Sequence, residues 1–245
     1  MIEFIQAGWN APGAIRACCT TRIGGSSQGA YASFNLGLHV GDEEQRVRDN
    51  RQRLRGLLQL PNEPCWIRQT HGTRVVTLET DDGRDADASI TRRPGTVAVV
   101  TVADCLPILL SNRAGTEVAA VHAGWRGLQA GIIKNTLAQM HSAAADLIAW
   151  IGPGISRDFF EVGADVYSAY HQTIEAVDPF FSPRGADRWL CDLAGIAELV
   201  LTRHGVAEVT RTADCSYRDS DRYYSYRRDA VTGRMAALIW INREA

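Results

Sequence analysis

The sequence predicts a mixed α/β fold, a sandwich in which a single domain takes up residues 1–245. Three observations carry that expectation. Apolar runs of strand length at residues 97–102, 107–110 and 117–121 follow one another closely, and two of them are rich in β-branched side chains. Segments with helical spacing of apolar residues interleave with strand-like ones, yet without the steady rhythm of a parallel sheet. No GxGxxG or Walker loop follows a strand-like run, which argues against a doubly wound nucleotide-binding sheet.

The elements follow in chain order. Residues 15–21 read as a strand, and the Gly-rich stretch at 22–29 as a flexible loop. Residues 43–58 read as a helix, with Val47, Leu54, Leu57 and Leu58 on one face and Pro61 as the stop. Residues 65–69 and 74–78 bracket Thr70-His71-Gly72-Thr73 as a strand–loop–strand unit. The near-continuous hydrophobicity of 97–102, 107–110 and 117–121 predicts strands covered on both faces by helices. Leu128, Ile132, Leu137 and Met140 fit one helix, and residues 147–151 a strand that Gly152-Pro153-Gly154 closes. Residues 162–176 and 193–204 read as helices, 206–210 and 235–241 as late strands. No low-complexity linker, charge run or repeat divides the chain.

Composition narrows the function classes. A net charge of -2 gives no field for capturing a polyanion, so nucleic acid is not an expected partner. Lys134 is the only lysine among 26 basic residues, a bias that by itself says nothing about anion binding. No apolar run reaches the roughly 18 residues of a membrane span, and Met1-Ile2-Glu3 lacks the basic start of an export signal. The expected location is therefore cytoplasmic, where Cys18, Cys19, Cys65, Cys105, Cys191 and Cys215 serve as thiols or metal ligands rather than disulfides.

Three of the chemistry-bearing residues stand out: His71 in Gln-Thr-His-Gly, Cys105 in Ala-Asp-Cys-Leu-Pro and His122 in Val-His-Ala-Gly-Trp-Arg-Gly. Each lies where an apolar run breaks into Gly, Pro or polar sequence, so that rigid backbone can aim it at a cleft. Two imidazoles and a thiolate suit zinc, with a fourth position open to water or substrate. Their separations of 34 and 17 residues form no compact ligand motif. Taken singly, Cys105 also reads as a small buried hydrophobe, His71 as a turn residue and His122 as a histidine with satisfied hydrogen bonds. The glycines after His122 allow close backbone approach, and the helix start there favours an anion. Asp87 and Asp104 could orient a ligand imidazole, act as a general base, or cap turns. Arg51 could hold phosphate or be merely solvated, and Asn35 could bind substrate or close an Asx turn. Tyr223 to Arg228 form an aromatic–basic patch that reads best as a strand edge.

Eight short words occur in order: Thr20-Thr21-Arg22-Ile23-Gly24-Gly25-Ser26-Ser27, Ser33-Phe34-Asn35-Leu36-Gly37, Gln69-Thr70-His71-Gly72, Ala86-Asp87-Ala88, Ala103-Asp104-Cys105-Leu106-Pro107, His122-Ala123-Gly124-Trp125-Arg126-Gly127, Ile151-Gly152-Pro153-Gly154-Ile155 and Phe160-Glu161-Val162-Gly163. Together they closely resemble the YfiH family, long labelled multicopper polyphenol oxidoreductase or laccase-like, over essentially the whole chain. The resemblance implies a single α/β domain similar to the catalytic domain of cytotoxic necrotizing factor. It also implies a zinc enzyme whose ligands match His71, Cys105 and His122. The activity implied is purine nucleoside phosphorylase on adenosine, inosine, guanosine and methylthioadenosine, with adenosine deaminase activity beside it. Some bacterial members are instead peptidoglycan editing amidases that remove serine from a UDP-muramyl precursor. The copper-dependent polyphenol oxidase of the old label is disfavoured, because a multicopper centre draws on many more histidines than the six present, although copper could occupy the ligand set. The expected partners are small molecules: a nucleoside with phosphate, or the muramyl precursor. Two mechanisms stay open, with Cys105 as metal ligand or, in a metal-free site, as thiolate nucleophile with His122 as base.

Overall fold

The computed structural model describes residues 3–242. The reading of Met1 and Ile2 as free of an export signal therefore falls outside the described residues. The first half of the chain forms β1 (Phe4–Gln6), β2 (Ile15–Thr20), α1 (Glu44–Leu57), β3 (Cys65–Trp66), β4 (Val75–Thr77), β5 (Ala88–Thr91), β6 (Val97–Val102), β7 (Leu106–Asn112) and β8 (Val118–Ala123). Next come α2 (Trp125–Ala130), α3 (Ile132–Gln139), β9 (Leu147–Ile151), β10 (Glu161–Gly163) and α4 (Ala164–Thr173). The remainder is β11 (Phe181–Pro183), β12 (Arg188–Cys191), α5 (Leu193–Arg203), β13 (Glu208–Arg211), α6 (Tyr226–Asp229) and β14 (Met235–Ile241).

Two large sheets pack face to face. One has the order β1-β2-β14-β6-β3 and the other β13-β9-β7-β8-β5-β4, while β10-β12-β11 form a small third sheet. Alternation of side chains along each strand feeds separate apolar layers. On β14, Met235, Ala237, Ile239 and Ile241 join the layer between the sheets, and Ala236, Leu238 and Trp240 point to the opposite face. That outer face carries Phe34, Leu36 and the α1 residue Leu54. On the far side of the second sheet, Ile108, Leu110, Ala119 and Val121 pack against Leu128, Ile132, Ile133, Ile196 and Leu201 from helices. The result is a helix–sheet–sheet–helix sandwich.

The mixed α/β expectation stands, with corrections in detail. The apolar strands are covered on both faces, but by a sheet on one and helices on the other, and the pairing of β7 with β8 and β9 is antiparallel. The single helix expected beyond Gly127 breaks in two at Gly131, whose φ of 99° is a left-handed value open to glycine. The segment from 162 starts as strand β10 before becoming helical. The strand edge expected at Tyr223 to Arg228 is instead a turn leading into α6, with Tyr223 and Tyr224 fully buried and Ser225 capping the helix. Strands β1, β5, β11 and β12 were not foreseen; at three or four residues they are too short to display a period.

Candidate metal centre

Strand register brings the first two groups together. Leu106 pairs with Ala123 and Pro107 with His122 across the β7–β8 hairpin, so Cys105, one residue before β7, faces Gly124. Ala88 pairs with Val121 across β5–β8, which sets Asp87 opposite His122, and the His122 N–H donates to the Asp87 carbonyl at 2.7 Å. His71 arrives from the β3–β4 loop. That loop is tied to β6 by Gln69, whose amide accepts from Thr101 N and donates to Thr101 O.

The Asp87 carboxylate then fixes the loop and the ring at once. Oδ1 accepts from His71 N at 2.9 Å and from His122 Nδ1 at 2.8 Å. Oδ2 accepts from Thr70 N, Thr70 Oγ1 and Gly72 N. Consecutive amides converge on one carboxylate because His71 adopts a left-handed φ of 60°, which makes the loop a nest for an anion. Burial drives the Asp87 carboxyl up, but the His122 and Gly72 bonds outweigh it and hold it down at about 2. With five donors on it, Asp87 has no lone pair for a general base, and that candidate role is withdrawn. Its position is that of a carboxylate orienting an imidazole.

His122 therefore keeps Nδ1 on Asp87 and turns Nε2 toward Cys105. The ligand atoms of His71, Cys105 and His122 lie within 4.8 Å of one another, and Cys105 Sγ is 3.8 Å from His71 Nε2. Burial pushes the Cys105 thiol up, yet the His122 charge and bonds to both imidazoles lower it to about 6. Burial likewise lowers His122, but the Cys105 thiolate and Asp87 raise it to about 9. Each charge favours the other: the imidazolium holds the thiol down and the thiolate holds the imidazole up.

The donor set fits zinc. Tetrahedral zinc spaces S and N ligands by roughly 3.4–3.6 Å, so the three groups need to contract by only about 1 Å. The backbone keeps the space open, since a Cβ on Gly124 would stand 2.9 Å from Cys105 Sγ and 3.0 Å from His71 Cδ2. Among the described residues no other group of three such ligands occurs.

The three groups line a cleft of about 560 Å³ together with His39, Trp125, Arg126, Phe160, Tyr226, Arg227 and Arg234, among others. Arg126 lies over the Trp125 ring, Arg227 over Phe160, and Arg234 within 5.9 Å of the Tyr226 centroid. Asn35 and Arg51 are not among the lining residues. Asn35 is fully buried and closes an Asx turn onto Gly37 N at 3.0 Å. Arg51 donates through Nε and Nη2 to the Leu36 carbonyl and stacks 3.6 Å from the Trp66 centroid. Both sit outside the cleft with their hydrogen bonds inside the fold, Asn35 Nδ2 also donating to Asp42 Oδ2 at 2.9 Å, rather than at the substrate position expected of them. Asp104 lines the cleft but holds Ser216 Oγ and Arg227 N rather than an imidazole. It pins α6 to the centre, and the imidazole partnership expected of it is taken by Asp87 instead. The anion site expected at the helix after His122 is also reduced, since α2 has only six residues. His39 and Arg234 escaped the sequence reading, although each lies beside a marked feature: Gly37 for one, the start of an apolar strand for the other.

Comparison with known proteins agrees with this architecture. The family model described as multi-copper polyphenol oxidoreductase laccase matches residues 16–242. A Shigella flexneri protein named purine nucleoside phosphorylase YfiH is 43% identical, covering 98% of this chain and all of that one. The crystal structure of a Neisseria meningitidis protein, NMB0706, superposes with a TM-score of 0.94 at 44% identity, covering 98% of this chain and 99% of its own. YlmD from Geobacillus stearothermophilus gives a TM-score of 0.92 at 28% identity, over 98% of this chain and 96% of that one. With a family model and full-length relatives both matched, this chain belongs to the YfiH family, the family of the laccase-like multi-copper polyphenol oxidoreductase model.

Proposed function

We propose that the chain is a zinc-dependent purine nucleoside phosphorylase, acting on adenosine, inosine, guanosine and methylthioadenosine, and that the same centre deaminates adenosine. The observation that carries this reading is the cleft itself: three aromatic–arginine pairs stand around the His71–Cys105–His122 group. A volume near 560 Å³ suits a small molecule rather than a polymer. Ring faces receive a planar base, and guanidinium forks receive phosphate oxygens. Relatives that share the whole length carry the name purine nucleoside phosphorylase.

In phosphorolysis a phosphate oxygen bonds to C1′ of the sugar while the C1′–N bond breaks. The electron pair leaves with the purine, which then takes up a proton. Zinc held by His71, Cys105 and His122 supplies Lewis-acid polarisation of an oxygen in the site. The chain's own residues do the rest. Asp87 keeps the Nδ1 proton of His122 in place, so that Nε2 faces the centre. Trp125, Phe160 and Tyr226 hold the base, and the arginines neutralise phosphate charge. Deamination uses the same base pocket: water adds at C6 of the purine, the C6–N bond breaks and the amino group leaves as ammonia.

A specific observation favours a second reading. Cys105, His122 and Asp87 also stand as nucleophile, base and orienting carboxylate, an arrangement suited to amide hydrolysis through a thiolate. Copper chemistry of the multi-copper kind has only a three-ligand group to draw on among the described residues.

The test is cleavage of inosine by zinc-replete protein with and without phosphate. Phosphate-dependent release of hypoxanthine and ribose 1-phosphate is expected. Free ribose in the absence of phosphate would overturn the phosphorylase reading. Activity that survives complete chelation, with a covalent adduct on Cys105, would establish the thiolate reading in its place.

A further inference from the structure

The cleft is cationic in a chain whose net charge is -2. Ten arginines are ion-paired among the described residues, whereas none of the three that line the cleft has a carboxylate within 4.0 Å. Asp104 is the one carboxylate in the lining, and both its oxygens are already engaged by Ser216 and by the Arg227 amide. Guanidinium groups that folding leaves without an ion-pair partner within 4.0 Å can pair with an anion that arrives from solution.

Two of these groups are better placed than the rest. Arg234 is half-buried and directs Nη1 onto the Thr232 and Gly233 carbonyls at 3.0 and 2.9 Å. Those two bonds fix the guanidinium plane and leave Nε and Nη2 without a partner among the described residues. His39 makes no hydrogen bond there at all, although it lines the same cleft. Arg234 lies near enough to interact with the charges of Cys105 and Asp104, and His39 with those of Arg234, His71 and His122. Burial and the Arg234 guanidinium hold the His39 imidazole below its ordinary value, so an anion between the two groups gains a fixed cation on one side and an N–H donor on the other. Arg227 and Arg126 are more exposed than Arg234, and Arg227 already donates to the Glu161 carbonyl.

We propose that His39 and Arg234 form the subsite for the phosphate co-substrate, holding free inorganic phosphate beside the Cys105–His122 pair. Arg234 contributes a bidentate fork and His39 a third donor, which matches a tetrahedral oxyanion with one oxygen left to react. This rests on the phosphorylase reading for the word co-substrate, but the anion site itself can be measured without turnover.

The experiment measures phosphate binding to the zinc-replete full chain by thermal shift, at constant ionic strength with chloride as replacement. His39→Asn and Arg234→Gln are compared with the unaltered chain. His39 holds no structural bond, so His39→Asn keeps the test open even if Arg234→Gln folds poorly. The expected result is a phosphate midpoint raised about tenfold or more in each variant, the effect of losing a charge-assisted donor, with zinc content unchanged. In turnover, the phosphate KM should rise by a similar factor while the inosine KM moves less than about twofold, since a bound base does not touch these donors. An unaltered phosphate midpoint in His39→Asn and in folded Arg234→Gln overturns the subsite, whatever the enzyme cleaves. Stabilisation by inosine 5′-monophosphate but not by phosphate overturns it also. If phosphate binding falls in the variants yet no nucleoside is cleaved by the unaltered chain, the anion site stands and the phosphorylase reading fails.

Discussion

The Asp87 carboxylate receives five hydrogen bonds from four residues, and two of those residues are candidate metal ligands. Asp87→Asn keeps the shape but aims an N–H group at donors, leaving at least one of them unpaired at about 1–3 kcal/mol. Zinc affinity should fall by roughly 10- to 100-fold, as for other partners of a ligating imidazole; a chelator competition titration measures it, and an unchanged affinity would remove Asp87 from the centre. Cys105 makes a different demand. In chelator-treated protein its alkylation by iodoacetamide should show a midpoint near pH 6, because the His122 imidazolium stabilises the thiolate. Zinc should protect it, and an alkylation midpoint in the range of an ordinary thiol would mean that the pair does not form. Asp87 and Cys105 were both visible in the sequence with these roles among their alternatives, and it took the hydrogen bonds to separate Asp87 from Asp104 as the partner of an imidazole. Arg51 and Asn35 illustrate the opposite outcome: polar residues singled out in the sequence whose hydrogen bonds close within the fold and outside the cleft.

At the scale of elements, the centre is a consequence of register. A β7–β8 hairpin shifted by one residue would turn His122 to the other face and separate it from Cys105. The joint between β8 and α2 is equally exacting. Gly124→Ala places a Cβ within 3.0 Å of both Cys105 Sγ and His71 Cδ2. Because both contacts are at metal ligands, zinc content should drop well below one per chain while far-UV circular dichroism stays native. Full zinc occupancy in Gly124→Ala would mean that the two ligands can move aside. Long apolar runs such as β6 and β14 were legible because six or seven consecutive apolar or β-branched residues stand out, whereas β5, which sets Asp87, has only four residues.

For the whole molecule, buried carboxylates link the fold to pH. Burial raises Glu117, but the amides of His141 and Ser142 outweigh it and lower the group, and Arg92 pairs with it. Asp87 is lowered from 3.8 to about 2. A carboxyl held below its unfolded value stabilises the fold above that value, and the contribution disappears as pH falls through the folded one. Stability of the chelated protein should therefore decline through the window between 3.8 and about 2. Urea denaturation at stepped pH measures it, and Asp87→Asn should flatten the slope. A slope unchanged by that substitution would assign the acid sensitivity to other groups. The central place of β14 belongs to this scale too: the last strand of the chain pairs with both β2 and β6, so the first sheet closes only when the far end of the sequence arrives.

The sequence by itself determined the mixed α/β class, the long strands, most of the helices and the three residues that could share a metal, because each is written in local periodicity or residue chemistry. Only the tertiary structure decided which polar residues face the cleft. Cys105 and His122 meet through hairpin register, His71 through a loop folded around Asp87, and His39 and Arg234 across a separation of nearly 200 residues. No local pattern encodes such a meeting. A side chain's partners depend on how strands from distant parts of the chain align, and that alignment is set by burying the apolar layers on both sides of each sheet.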